Sequence, residues 1–507
     1  MNNQLSLIKN GQPVPLAEIP CCHLDDFGAQ INSLCQQGWR ICSYFGLPGN
    51  NHRTALYCLL ASPSGTILGL LHSSCKGGEL RSITAKTAQA QLFEREIAEQ
   101  CGTGFTGHPW FKPVRFTSAP SGRRDAWNRP PDQPIAVGVM DFYQVDGDEV
   151  HEVAVGPVHA GVIEPGHFRF QCHGEQVFHL EISLGYQHRG IENLLLGGPH
   201  RTSLRQVEAI AGDTSIGHGT AYCMVLEGLS GVQPPHAAEL MRGLALELER
   251  LANHTGDLGA IAADVGYLPT ASFNGRIRGD FLNMSATLCG SRFGRGLLLP
   301  GGVGFGLDKQ RCEQLLEQLA IARTELASSV ELLWDTPSVL ARLEGTGIVT
   351  KETAVELGMV GPAARASGLK RDLRTDLPFG IYRQYPLPIV TADHGDVCSR
   401  AKVRWQEAVV SLDFCESVLN QPCEDIYRKE PGQLLPDHLI ACLTEGWRGE
   451  ICHLAITGKD GRFRKYKITD PSFHNWQGLA MALRNEQISD FPLCNKSFNL
   501  SYCGFDL

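Results

Sequence analysis

Nowhere in the chain are two cysteines separated by two residues, although eighteen cysteines are present. Zinc and iron–sulfur sites held by a single chain are commonly built on such pairs, so the spacing argues against both. Also missing is any stretch of about 20 apolar residues that could span a bilayer. There is no P-loop, no Gly-x-Ser-x-Gly elbow and no His-Glu-x-x-His, which removes the sequence grounds for the chemistry those motifs carry. Positive charge is scarce: 45 Lys and Arg against 54 Asp and Glu leave a net charge of −9, with no basic cluster interleaved with aromatics. A nucleic-acid partner would require such a footprint. The start, Met1-Asn2-Asn3-Gln4, lacks a charged region and an apolar core, which predicts no signal peptide. Without export, the cysteines are expected to be reduced and mostly buried. Their scatter fits this: Cys21 and Cys22 adjoin, and Cys415/Cys423 and Cys494/Cys503 are widely spaced.

What is present is length and helical periodicity. At 507 residues, the chain exceeds the roughly 250–300 residues at which one core stops growing, so two or more domains are expected. Residues 1–116 carry short apolar runs, at 54–60 and 66–71, and a helical stretch near 87–100, reading as an α/β unit. Residues 117–134 are rich in Pro, Arg and Asp and read as an exposed linker. Residues 135–507 are mainly helical. One helix follows Pro234-Pro235, with Leu240, Leu244, Leu248 and Leu251 on a face. A second spans Lys309–Trp334, with Leu315, Leu319, Ala322, Leu326, Val330 and Leu333 on one side. The fold class expected is therefore α+β, an N-terminal α/β domain followed by a mainly helical domain around a central bundle.

The first helix also aligns Glu247, Arg250, His254 and Asp257 at steps of three, four and three. These form one stripe, either a solvated face or, given the small residues around 252–263, a buried polar seam. Glu164, His167 and Arg169 lie within six residues, as do His188, Arg189 and Glu192. Either trio could relay protons, and either could be a strand-end turn with a solvated histidine. Gly301-Gly302-Val303-Gly304 has neither the preceding strand nor the acidic follower of a dinucleotide fingerprint, and reads as a turn of close backbone approach.

Taken together, these segments resemble one family. Phe93-Glu94-Arg95-Glu96-Ile97 and Gly107-His108-Pro109 resemble the thirty-kilodalton subunit of bacterial NADH:quinone oxidoreductase (complex I). Gly156-Pro157-Val158-His159, the run from Gly185 to Glu192, Glu247-Leu248-Glu249-Arg250 with His254, Gly361-Pro362-Ala363-Ala364-Arg365 and Glu445-Gly446-Trp447-Arg448-Gly449-Glu450 resemble the forty-nine-kilodalton subunit of the same enzyme. They resemble still more closely the large subunit of energy-converting nickel–iron hydrogenases. The fusion of both parts is similar to the formate hydrogenlyase large subunit. The resemblance places metal-binding thiolates at four positions occupied here by Ala211, Thr214, Ser501 and Gly504, with Cys503 one residue off. A methyl, two hydroxyls and a hydrogen are no substitute for thiolates on a soft metal. A rescue by Cys494, Cys503 and His218 is conceivable but not tetra-thiolate.

The family's quinone-binding tyrosine would fall on Gly212 and its partner histidine on Pro165, with His167 out of register. Glu164 resembles, offset by one, the hydrogenase glutamate that passes protons. The resemblance thus implies a peripheral subunit on the cytoplasmic side of the inner membrane. It would dock an iron–sulfur small subunit with a [4Fe–4S] cluster, a ferredoxin-like subunit and antiporter-like membrane subunits, with no cofactor held by this chain alone and a quinone as a candidate ligand. The expected function is coupling of electron transfer to ion translocation without a nickel–iron site, along a polar route drawn from Glu164, His167, Glu192, His218, Glu247, Arg250 and His254. The alternatives are an NAD(P)H:quinone-type oxidoreductase subunit with a quinone in the degenerate cavity, and a non-catalytic scaffold for ion or inorganic-carbon transport.

Overall fold

A computed structural model describes residues 4–49, 53–118, 124–131, 135–159, 164–422 and 426–507. The first three residues, the 119–123 and 132–134 parts of the expected linker, and Cys423 lie outside the described residues. The N-terminal part builds β1 (Ser6–Ile8), α1 (Leu24–Gln36), β2 (Arg40–Pro48), β3 (Arg53–Ala61), β4 (Leu68–Lys76) and α2 (Gln91–Cys101). The strands of the main sheet lie in the order β1-β4-β3-β2, all antiparallel, with the short Cys21–Cys22 strand parallel beside β4; a separate parallel pair, Glu79–Arg81 with Gly104–Thr106, is joined across α2. The main sheet of this unit is therefore antiparallel and not the parallel sheet of the α/β unit expected from its apolar runs. The reason is connection length: β3 and β4 are joined by a tight turn in which Ser62 N donates to Ile67 O, and parallel pairing needs a crossover of a dozen residues or more.

The part of the expected exposed linker that is described is docked. Ala126 N bonds Ala98 O of α2, Trp127 stacks on Phe111, and Arg129 reaches Glu99. Its arginine and tryptophan are themselves among the groups that hold it down.

The remainder opens with an antiparallel three-stranded sheet, β5 (Val150–Val155), β6 (His167–His173) and β7 (Gln176–Ser183). Helices follow: α3 (Ser215–Ser230), α4 (His236–Asp264), α5 (Leu268–Cys289), α6 (Lys309–Trp334) and α7 (Val397–Leu419). Helices α4 to α7 pack on one another, with α4 central and buried nearly all round, its charged residues included. The six apolar residues expected along α6 are all buried, and Asp308 caps its start. At Gly301 and Gly302, with φ of 82° and 158°, a Cβ would run into the backbone oxygens of Lys429 and Tyr427, which is the close approach expected there.

The chain closes with β8 (His438–Gly446), β9 (Gly449–Thr457), β10 (Phe463–Thr469), α8 (Pro471–Ala482) and α9 (Phe491–Phe498). The sheet β10-β9-β8 is extended by Val14–Pro15 from the other end of the sequence, and one core holds residues of both parts. Among the described residues no helix is long and apolar enough to cross a membrane. Most described cysteines are buried, none in a disulfide.

Candidate functional site

Helix α3 begins directly after the segment that matches the first ligand loop. Its initial N–H groups at Ile216 and Gly217 are capped not locally but by Glu249 of α4, at 2.8 and 3.1 Å. Burial pushes Glu249 up to about 8 despite those two bonds. One turn in, His218 is fully enclosed. Its Nε2 lies 3.0 Å from Asp470 Oδ2 and its Nδ1 3.0 Å from His453 Nε2. His453 Nδ1 in turn lies 2.9 Å from the Tyr466 hydroxyl. Asp470 also caps α8 by accepting Ser472 N at 2.8 Å. Burial would raise Asp470, but the bonds from His218 and Ser472 and the nearby Arg448 outweigh it and hold the carboxyl below its usual range. Burial, with His218 adjacent, keeps His453 well below the ordinary imidazole range.

The four ligand positions are filled in ways that leave no soft donor set. Ala211 is a buried methyl. Thr214 Oγ1 accepts from Trp447 Nε1 and Arg448 Nη1 at 3.1 and 3.2 Å. Ser501 Oγ accepts Gly504 N at 2.9 Å. A Cβ on Gly504 would stand 2.6 Å from Asp470 Oδ2, so a side chain there would have to displace that carboxylate. A nickel–iron centre does not fit these residues. Nor do Cys494, Cys503 and His218 assemble one. Both His218 nitrogens are engaged, and Cys494 sits beside Arg400, its thiol pushed by burial up to about 12. The Cys503 thiol, raised to about 11 by burial and by Glu164, faces Ser501 Oγ at 3.4 Å. Among the described residues no group of three or more His, Cys, Asp or Glu could hold a metal ion.

Arg448 ties the two loops together. Its Nη1 and Nη2 donate to Asp213 at 2.6 and 2.8 Å and its Nε to Asn499 O at 2.5 Å. Its guanidinium stacks 3.9 Å above the Trp447 ring. Such bidentate pairs are the stronger class of charged hydrogen bond.

The stripe on α4 is a buried seam and not a solvated face: Glu247, Arg250, His254 and Asp257 are all enclosed. Glu247 accepts from Arg250 at 3.1 Å, Arg374 at 3.0 Å, Ser411 at 2.6 Å and Tyr382 at 2.5 Å. Burial opposes its charge, yet Arg374 and Arg250 overcome this and lower it to about 2. His254 Nε2 meets Glu407 at 2.8 Å, and Arg365 joins Glu407 at 2.7 Å to Glu445 at 2.8 Å. Arg374 also pairs with Asp372 at 2.7 Å. Three arginines thus face Glu247, Asp372 and Glu407, and Glu445 is the additional carboxyl. Burial pushes it up to about 7, against the pull of Arg365. The β8–β9 turn links seam and ligand loops: Glu445 and Gly446 carbonyls accept from Arg250, and Trp447 lies edge-on to His254.

The other predicted residues fall elsewhere. Glu192 pairs with Lys467 at 3.0 Å, and Lys467 holds both oxygens of Glu96 at 2.7 Å, joining α2 to β10. Glu164 accepts Cys503 N at 3.2 Å, beside the second loop. His167 is apart, on Gly156 O at 3.2 Å and Arg169 at 3.3 Å. Sequence reasoning missed Asp470, His453 and Tyr466, which have no local motif. Arg365, Glu445 and Arg448 stood inside quoted markers but were given no role.

Comparison with known proteins fits this geometry. Residues 264–438 match the family described as respiratory-chain NADH dehydrogenase, 49 Kd subunit. The carbon monoxide-induced hydrogenase of Rhodospirillum rubrum is 30% identical over 350 residues, 69% of this chain and 97% of that protein. Formate hydrogenlyase subunit 5 of Escherichia coli (strain K12) is 29% identical over 475 residues, covering 89% and 82%. In fold, the chain is similar to one in the structure of the membrane-bound sulfane sulfur reductase (MBS), an archaeal respiratory membrane complex. There the TM-score is 0.67 at 22% identity, over 72% of this chain and 100% of that one. By its fold, its markers and these relatives, the chain belongs to the family of the membrane-bound hydrogenase large subunits and the 49 Kd subunit of NADH dehydrogenase.

Proposed function

We propose that the chain is the large subunit of a membrane-associated, hydrogenase-related complex that couples electron transfer to ion translocation without nickel–iron chemistry. Its neighbours would be an iron–sulfur small subunit, a ferredoxin-like subunit and antiporter-like membrane subunits, on the cytoplasmic side of the inner membrane. A [4Fe–4S] cluster in the small subunit would supply one-electron transfer. Family membership supports this assembly; one observation carries the non-hydrogenase reading. Arg448, paired with Asp213 and bonded to Asn499 O, cross-links the two loops that thiolates and metal would otherwise bridge. The loops are thereby kept in place for another use.

The seam supplies that use. Arg250, Arg365 and Arg374 balance Glu247, Asp372 and Glu407, so the protonation of Glu445 sets the net charge of an enclosed region. A carboxyl near 7 exchanges its proton in response to modest changes in nearby charge. The test is made on the purified complex. Nickel is expected to be far below one per complex and hydrogen evolution absent, while reductant-driven ion uptake into proteoliposomes is lost in Glu445→Gln. Stoichiometric nickel with hydrogen evolution would overturn the reading. Unimpaired uptake in Glu445→Gln, Glu164→Gln and His218→Ala would reduce the chain to a scaffold.

A further inference from the structure

Arg40 opens β2 in the N-terminal part, and Glu450 stands at the start of β9 in the closing sheet. Arg40 Nη2 donates to Glu450 Oε2, so this ion pair bridges the two parts of the chain. Both side chains are almost wholly enclosed, yet Arg40 Nε and Glu450 Oε1 have no hydrogen-bond partner among the described residues. One is a donor and the other an acceptor, and such atoms are costly to bury unless something bonds them. Glu445 lies directly opposite Glu450 in the β8–β9 ladder, hence on the same face, and all three residues line one cleft. We propose that this cleft is a hydrated inlet through which Glu445 exchanges protons with solvent, with Arg40 and Glu450 as the positioning residues that hold its water.

The cleft offers about 30 Å³ to the centres of water molecules. One water needs roughly 10–15 Å³ on that measure, so about two fit. A buried water also needs polar partners, and Arg40 Nε, Glu450 Oε1 and the Glu445 carboxyl supply them. Glu445 has acceptor capacity to spare. Its Oε1 accepts from Arg365 Nη1 at 2.8 Å and its Oε2 from Leu373 N at 3.2 Å, one bond on each oxygen where a carboxylate oxygen takes about two. Burial falls off along the cleft. Arg40, Glu445, Glu450 and Asp372 are enclosed, whereas Arg371 and Asp376 are half-buried and form the rim. There Arg371 Nη2 donates to Gly38 O at 3.3 Å, and a Cβ on Gly65 would stand 2.9 Å from Asp376 Cβ. The inlet therefore runs along the junction between the N-terminal part and residues 361–376, from a solvent-facing rim to Glu445.

Transfer along it balances simply. A hydronium at the rim passes its proton to the inner water, and that water passes one to a Glu445 oxygen. The carboxylate becomes a neutral carboxyl, and release runs the same bonds in reverse. Charged groups facing Glu445 are Arg365 and Asp372, Arg250 of α4, and Glu450 with Arg40 across the ladder; Glu407 lies behind Arg365, and Arg371 and Asp376 are at the rim. Arg40 and Glu450 offset each other, and burial holds Cys42 and His474, beside Arg40, in their neutral forms. Burial also lifts the Glu445 carboxyl to about 7 against the pull of Arg365, so both of its forms are populated near neutrality. The N-terminal part thus does more than dock: its Arg40 completes the inlet.

The inference rests on the reading of Glu445 as the carboxyl that sets the charge of the seam. The experiment is infrared spectroscopy of the full-length chain mixed rapidly from H2O into D2O near pH 6, following the carboxylic C=O band that Glu445→Gln removes. In the unaltered chain that band should shift as fast as mixing allows. Ala61 lies opposite Arg40 in the β2–β3 ladder and lines the cleft, so Ala61→Leu fills it. The double variant Arg40→Met with Glu450→Met removes both water-holding atoms and leaves no uncompensated charge. In each, the shift should slow at least tenfold in folded protein. An unchanged rate in both overturns the inlet. So does the absence of the band throughout pH 5 to 9, since Glu445 would then hold no proton. Stoichiometric nickel with hydrogen evolution defeats the functional reading and leaves the exchange rates untouched, so the two failures are distinct.

Discussion

Glu247→Gln tests the seam most directly, because it preserves shape and nearly all hydrogen-bonding capacity while deleting one charge. Glu247 Oε2 faces Arg250, Arg374 and Ser411, and Oε1 faces Tyr382. A glutamine can put its oxygen toward the three donors, and Tyr382 can turn to accept from the amide. What is lost is the balance of three carboxylates against three arginines, leaving a buried positive charge. Lowering of Glu247 from 4.5 to about 2 corresponds to roughly 3 kcal/mol of stabilisation by linkage, in line with the roughly 3–5 kcal/mol for breaking a buried pair. For a chain of this length each kcal/mol should move Tm by about 1–2 °C, so a loss of roughly 4–8 °C is expected by differential scanning fluorimetry at pH 7.

Because the folded-state pKa is depressed, this stability is present above about 4.5 and is lost as pH falls from there toward about 2. The variant's deficit should therefore shrink below pH 4. Pairing it with Arg374→Met should recover part of the loss, since the second change removes the uncompensated cation. A loss under 2 °C at pH 7, or a deficit that grows in acid, would refute the reasoning.

Arg448→Met should free the loops it ties. Amides at 214–218 and 501–504 are expected to exchange at least tenfold faster by hydrogen–deuterium mass spectrometry, with Arg448→Lys intermediate because it cannot bind Asp213 in two-point fashion. Lys467→Met should leave Glu96 and Glu192 with too little positive charge at the junction of α2 and β10. A cost of about 3–5 kcal/mol is expected, read as a Tm loss comparable to that of Glu247→Gln.

Periodicity alone placed the two long helices, because apolar residues at three-to-four spacing can be buried in only one conformation. The chemical identities at 211, 214, 501 and 504 likewise argued, before any fold was known, that thiolate chemistry is missing there. Alternation in residues 1–116 did not distinguish parallel from antiparallel pairing, which short connections decided. Composition of the linker did not reveal that 124–131 docks. The α4 stripe was equally compatible with water and with a seam, since spacing puts residues on one face without saying what covers it. Only the tertiary structure brought Arg374, Glu407 and Tyr382 onto Glu247 and His254, Asp470 and His453 onto His218, and Tyr466 onto His453. Those partners lie up to 252 positions away, where no local pattern reaches. A buried charge is tolerated only when its partners arrive from elsewhere in the chain, so the polar chemistry of this protein is written in contacts, while its helices and its missing thiolates are written in the sequence.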